Sequence, residues 1–164
     1  MSEFSIRPLQ EKDTERMVEW LKDEDVTRYL TIGGADSNVE STLEFIQKSK
    51  NDTDNLHRAI VGENDDYLGT VSLKNTDRTK GEAEYAIAMH PNAMGTGAAA
   101  AGTKLILALA FDELSLKRIY LNVLRVNQRA VKFYYKLGFK YTHSTISNYG
   151  GEEAELVWYE VVKD

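Results

Sequence analysis

Met89-His90-Pro91-Asn92-Ala93-Met94-Gly95-Thr96-Gly97-Ala98-Ala99 is the stretch that decides the fold. Before it, the alternating segment Glu82–Met89 predicts a β-strand, which must stop at Pro91 because proline cannot donate to a strand ladder. After it, residues 98–114 are rich in Ala and Leu and predict a buried helix. A glycine loop between a strand end and a helix start offers free backbone N–H groups to a phosphate, although a purely structural tight turn has the same pattern.

The segments on either side of this loop predict an α+β fold with a mixed, mainly antiparallel sheet. Alternating apolar residues predict strands over residues 4–9, 57–63, 67–73 and 118–123, and a terminal hairpin of residues 139–146 and 154–162. Helices are expected from Asp13 as N-cap through Leu21, over residues 25–30, and after Ser37, which has capping-box spacing with Glu40. Strand 82–89, helix 98–114 and strand 118–123 form the one strand–helix–strand crossover. Residues 1–164 are expected to be a single domain.

The composition is that of an ordinary globular protein and excludes several classes of function. The 164 residues are 42% hydrophobic and contain no cysteine, which rules out disulfides, a cysteine nucleophile and thiolate metal ligation. The three histidines, His57, His90 and His143, are scattered, so no metal site is expected. No signal peptide and no membrane span are apparent, and we expect a cytoplasmic protein without membrane contact.

The charge is unevenly distributed along the chain. The net charge is -6, which argues against a nucleic-acid partner. Residues 1–80 hold 11 Lys or Arg and 17 Asp or Glu, whereas residues 81–164 hold 9 of each. Within the second half, residues 117–140 carry seven basic residues and no acidic one. That basic stretch indicates either a local anion site or an ordinary solvated helix face.

A second informative segment is Asn127-Gln128-Arg129-Ala130-Val131-Lys132-Phe133-Tyr134-Tyr135-Lys136-Leu137-Gly138-Phe139. It predicts an amphipathic helix over residues 128–137, with Asn127 as N-cap and Gly138 after its end. The helical period places Ala130, Phe133, Tyr134 and Leu137 on one face, and Arg129, Lys132 and Lys136 on another. One face can pack while the other lies beside an anion, and Tyr134 can equally be a packed amphipathic ring.

Both segments resemble the GNAT superfamily of N-acetyltransferases. Residues 94–99 resemble its acetyl-coenzyme A signature, Q/R-x-x-G-x-G/A, at Gly97 and Ala99, with Met94 at the Gln or Arg position. Residues 127–139 are similar to the family segment N-x-x-A-x-x-x-Y-x-K-x-G-F at every specified position. The N-terminal residues 6–9 and Trp20-Leu21 also resemble the branch that acetylates protein N-termini, amino sugars and polyamines.

The resemblance implies a GNAT-like sheet and direct transfer of acetyl from acetyl-CoA to a primary amine. It gives Tyr134 as the general acid that protonates the leaving thiolate, and the backbone N–H of Met89 as the oxyanion donor. Glu84 or Glu82 could accept the proton of the amine, although either could be a solvent-facing strand acid. The resemblance further implies that the residues touching acetyl-CoA are Ile87, Ala88, Met89, Met94, Gly95, Thr96, Gly97, Ala98, Ala99, Asn122, Asn127, Arg129, Ala130, Phe133, Tyr134 and Lys136.

The acceptor amine is expected to be small and cationic. In this family the N-terminal half normally shapes the acceptor site, and here that half is acidic and would attract a cation. The candidate lining residues are Asp25, Tyr29, Asp36 and Glu40, whereas Trp20 could belong to the core. A protein N-terminal or amino-sugar acetyltransferase and a non-catalytic acyl-CoA-binding domain remain alternatives. Homodimer formation is left open.

Overall fold

Seven strands form one mixed sheet in the order β1-β2-β3-β4-β5-β7-β6. The computed structural model describes residues 3–21, 38–149 and 151–163. The strands are β1 (Ser5–Pro8), β2 (Leu56–Val61), β3 (Tyr67–Asp77), β4 (Glu82–Met89), β5 (Arg118–Leu124), β6 (Lys140–Tyr149) and β7 (Glu152–Val162). Only the β4–β5 pair of this sheet is parallel. The expected α+β class with a mainly antiparallel sheet is therefore confirmed.

Helices cover both faces of the sheet. They are α1 (Thr14–Leu21), α2 (Val39–Ser49), α3 (Ala98–Ala108) and α4 (Gln128–Lys136), and a π-helical turn, Leu109–Glu113, continues α3. Helices α1 and α2 pack with Ala59 and Val61 of β2, whereas α3 and α4 pack with the intervening Ile60 in the larger core. Alternate residues of a strand point to opposite faces, so β2 contributes to both cores. In the described part of the chain, no helix is long and apolar enough to cross a membrane.

The first helix begins differently from the prediction. Asp13 is not its N-cap: Glu11–Asp13 form a 3₁₀ turn with Gln10 at its N-cap position, and the α-helix starts at Thr14. The Asp13 carboxylate is buried and accepts two 2.8 Å hydrogen bonds from the guanidinium of Arg7 on β1. A buried carboxylate needs such a partner, and this long-range ion pair outweighs the local capping position.

The second helix is capped one residue later than predicted. Asn38 is its N-cap, because the Asn38 side-chain oxygen accepts from the N–H of Ser41 at 2.8 Å and the Ser41 hydroxyl accepts from the N–H of Asn38 at 3.2 Å. This reciprocal pair replaces the predicted Ser37–Glu40 box, and it arises because asparagine is among the strongest N-caps. The helix predicted over residues 25–30 lies outside the described residues.

Several predicted elements have different lengths. Strand β3 continues to Asp77 because its polar end pairs with the start of β4, and the terminal hairpin strands are also longer than predicted. Strand β2 is shorter and ends at Val61. The predicted helix over residues 98–114 is α-helical only to Ala108, and the π-helical turn then leads toward β5.

The crossover β4–α3–β5 creates a gap inside the sheet. Strands β4 and β5 pair only at their beginnings, where Glu82 opposes Arg118 and Glu84 opposes Tyr120. Beyond that point β4 continues to Met89 alongside β3, and β5 continues to Leu124 alongside β7. Two strand edges therefore diverge and leave their facing backbone groups without a ladder partner across the gap.

Candidate active site

A cavity of about 960 Å³ occupies the gap between β4 and β5. Its walls are residues 84–89 of β4, residues 121–124 of β5, the glycine loop with the first turn of α3, and the N-terminal part of α4. The predicted site residues that line it are Glu84, Ile87, Ala88, Met89, Met94, Gly95, Gly97, Ala99, Asn122, Asn127, Arg129, Ala130, Phe133 and Tyr134. The cavity brings together most of the residues singled out from the sequence.

Backbone donors of β4 point into this cavity. The N–H of His90, just after β4, donates to the carbonyl oxygen of Leu68 on β3 at 2.8 Å. Strand amides alternate in direction, so the N–H groups of Ile87 and Met89 point the other way, toward the gap. An extended thioester arm laid along β4 can therefore accept hydrogen bonds in the manner of an added strand.

The glycine loop has the backbone geometry expected of an anion cradle. Gly95 and Gly97 have φ angles of 78° and 89°, in the left-handed region that favours glycine. A Cβ on either residue would project into open space, so their missing side chains leave a cradle at the start of α3. Gly97 is the N-cap of α3 and has no side chain; the N–H of Ala98 bonds to the Thr96 hydroxyl, and no capping side chain covers the N–H groups that follow it. Those donors and the helix dipole favour an anion there.

Two predicted loop residues have structural contacts instead of cavity contacts. The Thr96 hydroxyl donates to the carbonyl of Ala93 at 2.6 Å and accepts from the N–H of Ala98 at 3.3 Å, which shapes the loop. Ala98 is fully buried in the main core. Neither side chain forms part of the cavity wall.

The basic face of α4 does not act as one surface. Arg129 lies on the cavity wall, and its Nη2 is 3.9 Å from the sulfur of Met94. Its guanidinium thus lies beside the loop position where the family signature has Gln or Arg. Lys132 and Lys136 are exposed and lie outside the cavity wall. Asn127 lines the cavity and caps α4 by accepting from the N–H of Ala130 at 3.3 Å.

Tyr134 lines the cavity, and its ring is held by neighbouring aromatic residues. Only 8% of the residue is exposed, and its ring makes edge contacts with Tyr85 and Phe139 at centroid distances of 5.7 Å each. Burial raises the pKa of Tyr134 well above its usual value, and hydrogen bonding to Tyr85 offsets this only in part. The phenol therefore remains protonated at neutral pH and can donate a proton.

The two candidate carboxylates have different surroundings. Glu82 is ion-paired with Arg118 at 2.6 Å, and the same guanidinium binds Glu160 at 2.9 Å. Glu84 lines the cavity and accepts from two neutral amides, Asn75 at 3.1 Å and Asn122 at 3.5 Å. Within the described ranges, Glu84 forms no ion pair. Its negative charge therefore remains available to a cation.

Two further residues around this site, Tyr85 and Asn75, were not predicted from the sequence. Tyr85 shares the buried aromatic cluster with Tyr134, and its hydroxyl is 2.7 Å from that of Thr103 on α3. Asn75 bonds to Glu84 from β3. Tyr85 directly follows Glu84 on a predicted strand, and this position could have marked it as a neighbour of the site. Asn75 lies in a polar segment without a motif, so the sequence does not single it out.

The acceptor side is described only in part. Asp25, Tyr29 and Asp36 lie outside the described residues. Glu40 is exposed in the first turn of α2. Trp20 belongs to the core: it is 3% exposed, and its indole N–H donates to the Tyr67 hydroxyl at 2.7 Å.

The histidines have separate partners. His57 is 2.6 Å from the Ser72 hydroxyl, His90 is 2.5 Å from Glu19, and His143 stacks on Trp158. Among residues 3–21, 38–149 and 151–163, no three side chains of His, Asp or Glu form a group that could hold a metal ion.

A divergent strand pair with a glycine loop beside it is the arrangement expected from the resemblance to the N-acetyltransferases. Residues 4–140 match the family model described as "Acetyltransferase (GNAT) domain", and the chain belongs to this family. The matched region contains β4, the glycine loop with the first turn of α3, β5 and α4, which are the elements that form the cavity. The resemblance noted from the two sequence segments is confirmed.

Named relatives agree with this assignment. The chain is 30% identical over 135 residues to spermidine N(1)-acetyltransferase of Escherichia coli strain K12, covering 82% of this chain and 71% of that protein. Spermidine N-acetyltransferase from Vibrio cholerae, solved with CoA and spermine, superimposes with a TM-score of 0.89 at 20% identity, covering 99% of this chain and 96% of that one. A GNAT-family acetyltransferase from Bacillus anthracis gives 0.87 at 20% identity, with 98% and 95% coverage. The protein is therefore an acetyl-CoA-dependent N-acetyltransferase.

Proposed function

We propose that the acceptor is a small cationic amine of the polyamine type. The observation that carries this proposal is Glu84, a cavity carboxylate whose hydrogen-bond partners are neutral amides. A carboxylate without an ion pair in a partly enclosed site favours a cation beside it. Two of the relatives named above, those from Escherichia coli and Vibrio cholerae, are spermidine N-acetyltransferases by name, which agrees with this chemistry.

The charge of the whole chain supports the same acceptor class. Residues 1–80 carry the entire net charge of -6. They supply β1–β3, α1 and α2, which lie on the β4 side of the gap. An acidic surface beside a cleft raises the local concentration of a polycation and its rate of association.

The residues of the cavity can divide the proton transfers of amine acetylation between them. Acetyl-CoA supplies the acetyl thioester. Glu84 accepts a proton from the ammonium of the acceptor, and the freed amine attacks the thioester carbonyl. A β4 backbone N–H donates to the carbonyl oxygen as its charge develops. Tyr134 donates its proton to the departing sulfur, because burial disfavours the free thiolate. The nitrogen, still carrying one proton more than the amide needs, gives it up as the intermediate collapses, and this proton restores the Tyr134 phenol, so that the one net proton of the reaction is the one held by Glu84.

Strand spacing favours Ile87 as the oxyanion donor. Ile87 is three residues from Glu84, about 10 Å along an extended strand, whereas Met89 is five residues away, about 17 Å. A carboxylate can serve an amine near Ile87 through one or two water molecules, but not an amine near Met89. With Glu84 as base, Met89 N–H then binds a more distant part of the thioester arm.

Salt dependence of acceptor use tests the proposed acceptor class. We expect kcat/KM for spermidine to fall roughly tenfold between ~0.01 M and ~0.15 M ionic strength, over which the Debye length shortens from about 30 Å to about 8 Å. Putrescine should show a shallower slope and butylamine a shallower one still, since they carry fewer charges. The measurement is the initial rate of CoA thiol release at saturating acetyl-CoA.

Other acceptors serve as controls in the same assay. A peptide N-terminus, glucosamine and a nucleotide-linked amino sugar represent the competing acceptor classes. If one of these has a higher kcat/KM than the polyamines, or if the slope does not depend on acceptor charge, the polyamine proposal is wrong. Acetyl-CoA binding without thiol release in the presence of any of these amines would indicate a non-catalytic acyl-CoA-binding domain.

A further inference from the structure

We propose that Asn75 is the positioning residue of Glu84, and that it holds this carboxylate in the orientation needed to accept the acceptor proton. The inference rests on the proposed role of Glu84 as the base. Its basis is the hydrogen bond of 3.1 Å from Asn75 Nδ2 to Glu84 Oε1. Asn75 touches Glu84 and has no place on the cavity wall, so it acts through the carboxylate.

Asn75 sits at an irregularity of β3. The β3–β4 register is regular from Gly69 to Lys74 and then shifts before Asp77, which places Asn75 in the bulged segment. Its φ is 51°, in the left-handed region that residues with a Cβ rarely adopt. Bulges near active sites commonly re-aim a side chain, and here the bulge directs Asn75 toward Glu84.

The other two described residues that combine a side chain with a positive φ, Asp65 and Ser115, lie in connections between elements. Asp65 lies in the β2–β3 hairpin turn and is ion-paired with Arg7. Ser115 lies in the connection between the π-helical turn and β5. Asn75 lies inside β3, where the bulge before Asp77 accounts for its positive φ, and asparagine tolerates this region better than most residues with a Cβ. The bulge thus orients the Asn75 side chain toward Glu84.

The segment before β2, which contains Asp52 and Asn55, holds the backbone of Asn75 by a hydrogen bond. The N–H of Asn75 donates to Oδ1 of Asn55 at 3.0 Å. The amide of Asn55 is itself oriented, because its Nδ2 donates to Asp52 at 3.0 Å. The chain Asp52–Asn55–Asn75–Glu84 therefore runs from a surface loop to the cavity, and each link sets the orientation of the next.

The loss of Asn75 would leave Glu84 poorly held. The remaining donor, Asn122 on β5, is at the longer distance of 3.5 Å. Lys74 is the cross-strand partner of Glu84 and also lines the cavity. Without the Asn75 amide, the carboxylate is free to turn toward the Lys74 ammonium, and an ion pair there would compete with its contact to the acceptor.

Asn75→Gly separates the side chain from the backbone. Glycine adopts positive φ without strain, so the bulge is retained while the amide is removed. We expect kcat with the best acceptor of the amine assay to fall by about tenfold to a hundredfold, with KM for acetyl-CoA unchanged. Asn75→Asp keeps the size and the backbone tolerance but replaces the donor by a second carboxylate, and should lose at least as much.

Ser115→Gly is the matched control. It relieves a positive φ elsewhere in the chain and should leave kcat and both KM values at the wild-type level. Far-UV circular dichroism and Tm of all variants verify that the fold is intact. An Asn75→Gly variant with wild-type kcat would overturn the proposal.

Glu84→Gln distinguishes failure of this inference from failure of the proposed base. If Glu84→Gln lowers kcat by ~10² and Asn75→Gly does not lower it, only the positioning role of Asn75 is refuted. If Glu84→Gln has wild-type kcat, the proposed base is wrong, and the inference fails with it. In the double variant we expect no loss beyond that of Glu84→Gln alone. Additive losses would mean that Asn75 acts elsewhere, which also overturns the proposal.

Discussion

We expect Tyr134→Phe to lower kcat by ~10²–10⁴ while the Kd for acetyl-CoA stays close to the wild-type value, because the change removes the proposed proton donor and keeps the ring. The edge contacts of the ring with Tyr85 and Phe139 do not require the hydroxyl. Thiol-release kinetics measure kcat, and calorimetry measures the Kd.

Tyr135→Phe is the control on the same helix. Tyr135 is 75% exposed, so removing its hydroxyl should change neither kcat nor Kd. A Tyr134→Phe variant that turns over at the wild-type rate would show that Tyr134 is a packing residue only.

If Tyr134 is the proton donor, its ionisation sets where kcat declines at high pH. Burial raises the pKa of Tyr134 above its usual value near 10. The protonated phenol is the donor, so its loss can lower kcat only at pH values above that usual pKa. A decline of kcat that begins between pH 7 and about 9 and disappears in Tyr134→Phe would contradict this assignment.

We expect Gly97→Glu to weaken acetyl-CoA binding by about 10²–10³-fold. A carboxylate some 4 Å from a diphosphate charge costs about 4 kcal/mol at an effective dielectric constant near 20, and each 1.4 kcal/mol is a factor of ten in Kd. The Cβ of residue 97 points into open space on the cradle, so the new side chain stands where the diphosphate must approach. Calorimetric titration with acetyl-CoA measures the change.

Two variants separate charge from backbone strain. Gly97→Gln imposes the same positive φ without the charge, so it should bind acetyl-CoA more tightly than Gly97→Glu. Gly151→Glu adds the same charge at a φ of 88°, with open space around its Cβ, in the β6–β7 turn. It should bind normally. Wild-type affinity in Gly97→Glu would mean that the cofactor does not bind at this loop.

The elements around the site were predictable because their signals are local. The strand before Pro91, the glycine pair and the apolar helix after them follow from backbone chemistry within a few residues. Asn127 likewise predicts the start of α4 because asparagine is a common N-cap, and Asn127 caps α4 in the structure. Such signals do not depend on what the rest of the chain does.

The features that escaped prediction depend on long-range contacts. Residues 85–89 alternate like any strand, so nothing local indicates that β4 loses its β5 partner after Glu84. Glu82 and Glu84 look equivalent on the strand, and only Arg118 from β5 distinguishes them by pairing with Glu82. Asp13 resembles an N-cap until Arg7, from another element, engages its carboxylate.

The basic stretch of residues 117–140 shows a further limit of helical periodicity. Arg129, Lys132 and Lys136 share a face of α4, but the cavity reaches only the first turn on that side. Helical periodicity identifies which residues share a face of the helix, but it does not show how many of them border the ligand site. Arg129 therefore remains the candidate cation for the diphosphate, and Lys136 remains a prediction on an exposed surface.

Mass spectrometry of a reaction mixture of acetyl-CoA and spermidine, with free CoA followed in parallel, tests the central claim most directly. The claim is that acetyl passes in one step from acetyl-CoA to a cationic amine. We predict a spermidine product carrying one acetyl group, one CoA released per product, no CoA release without amine, and no acetyl group on the protein. An acetylated protein, or CoA release that does not depend on the amine, would contradict direct transfer. Absence of acetylated spermidine under conditions where acetyl-CoA binds would contradict the proposal that the acceptor is a polyamine.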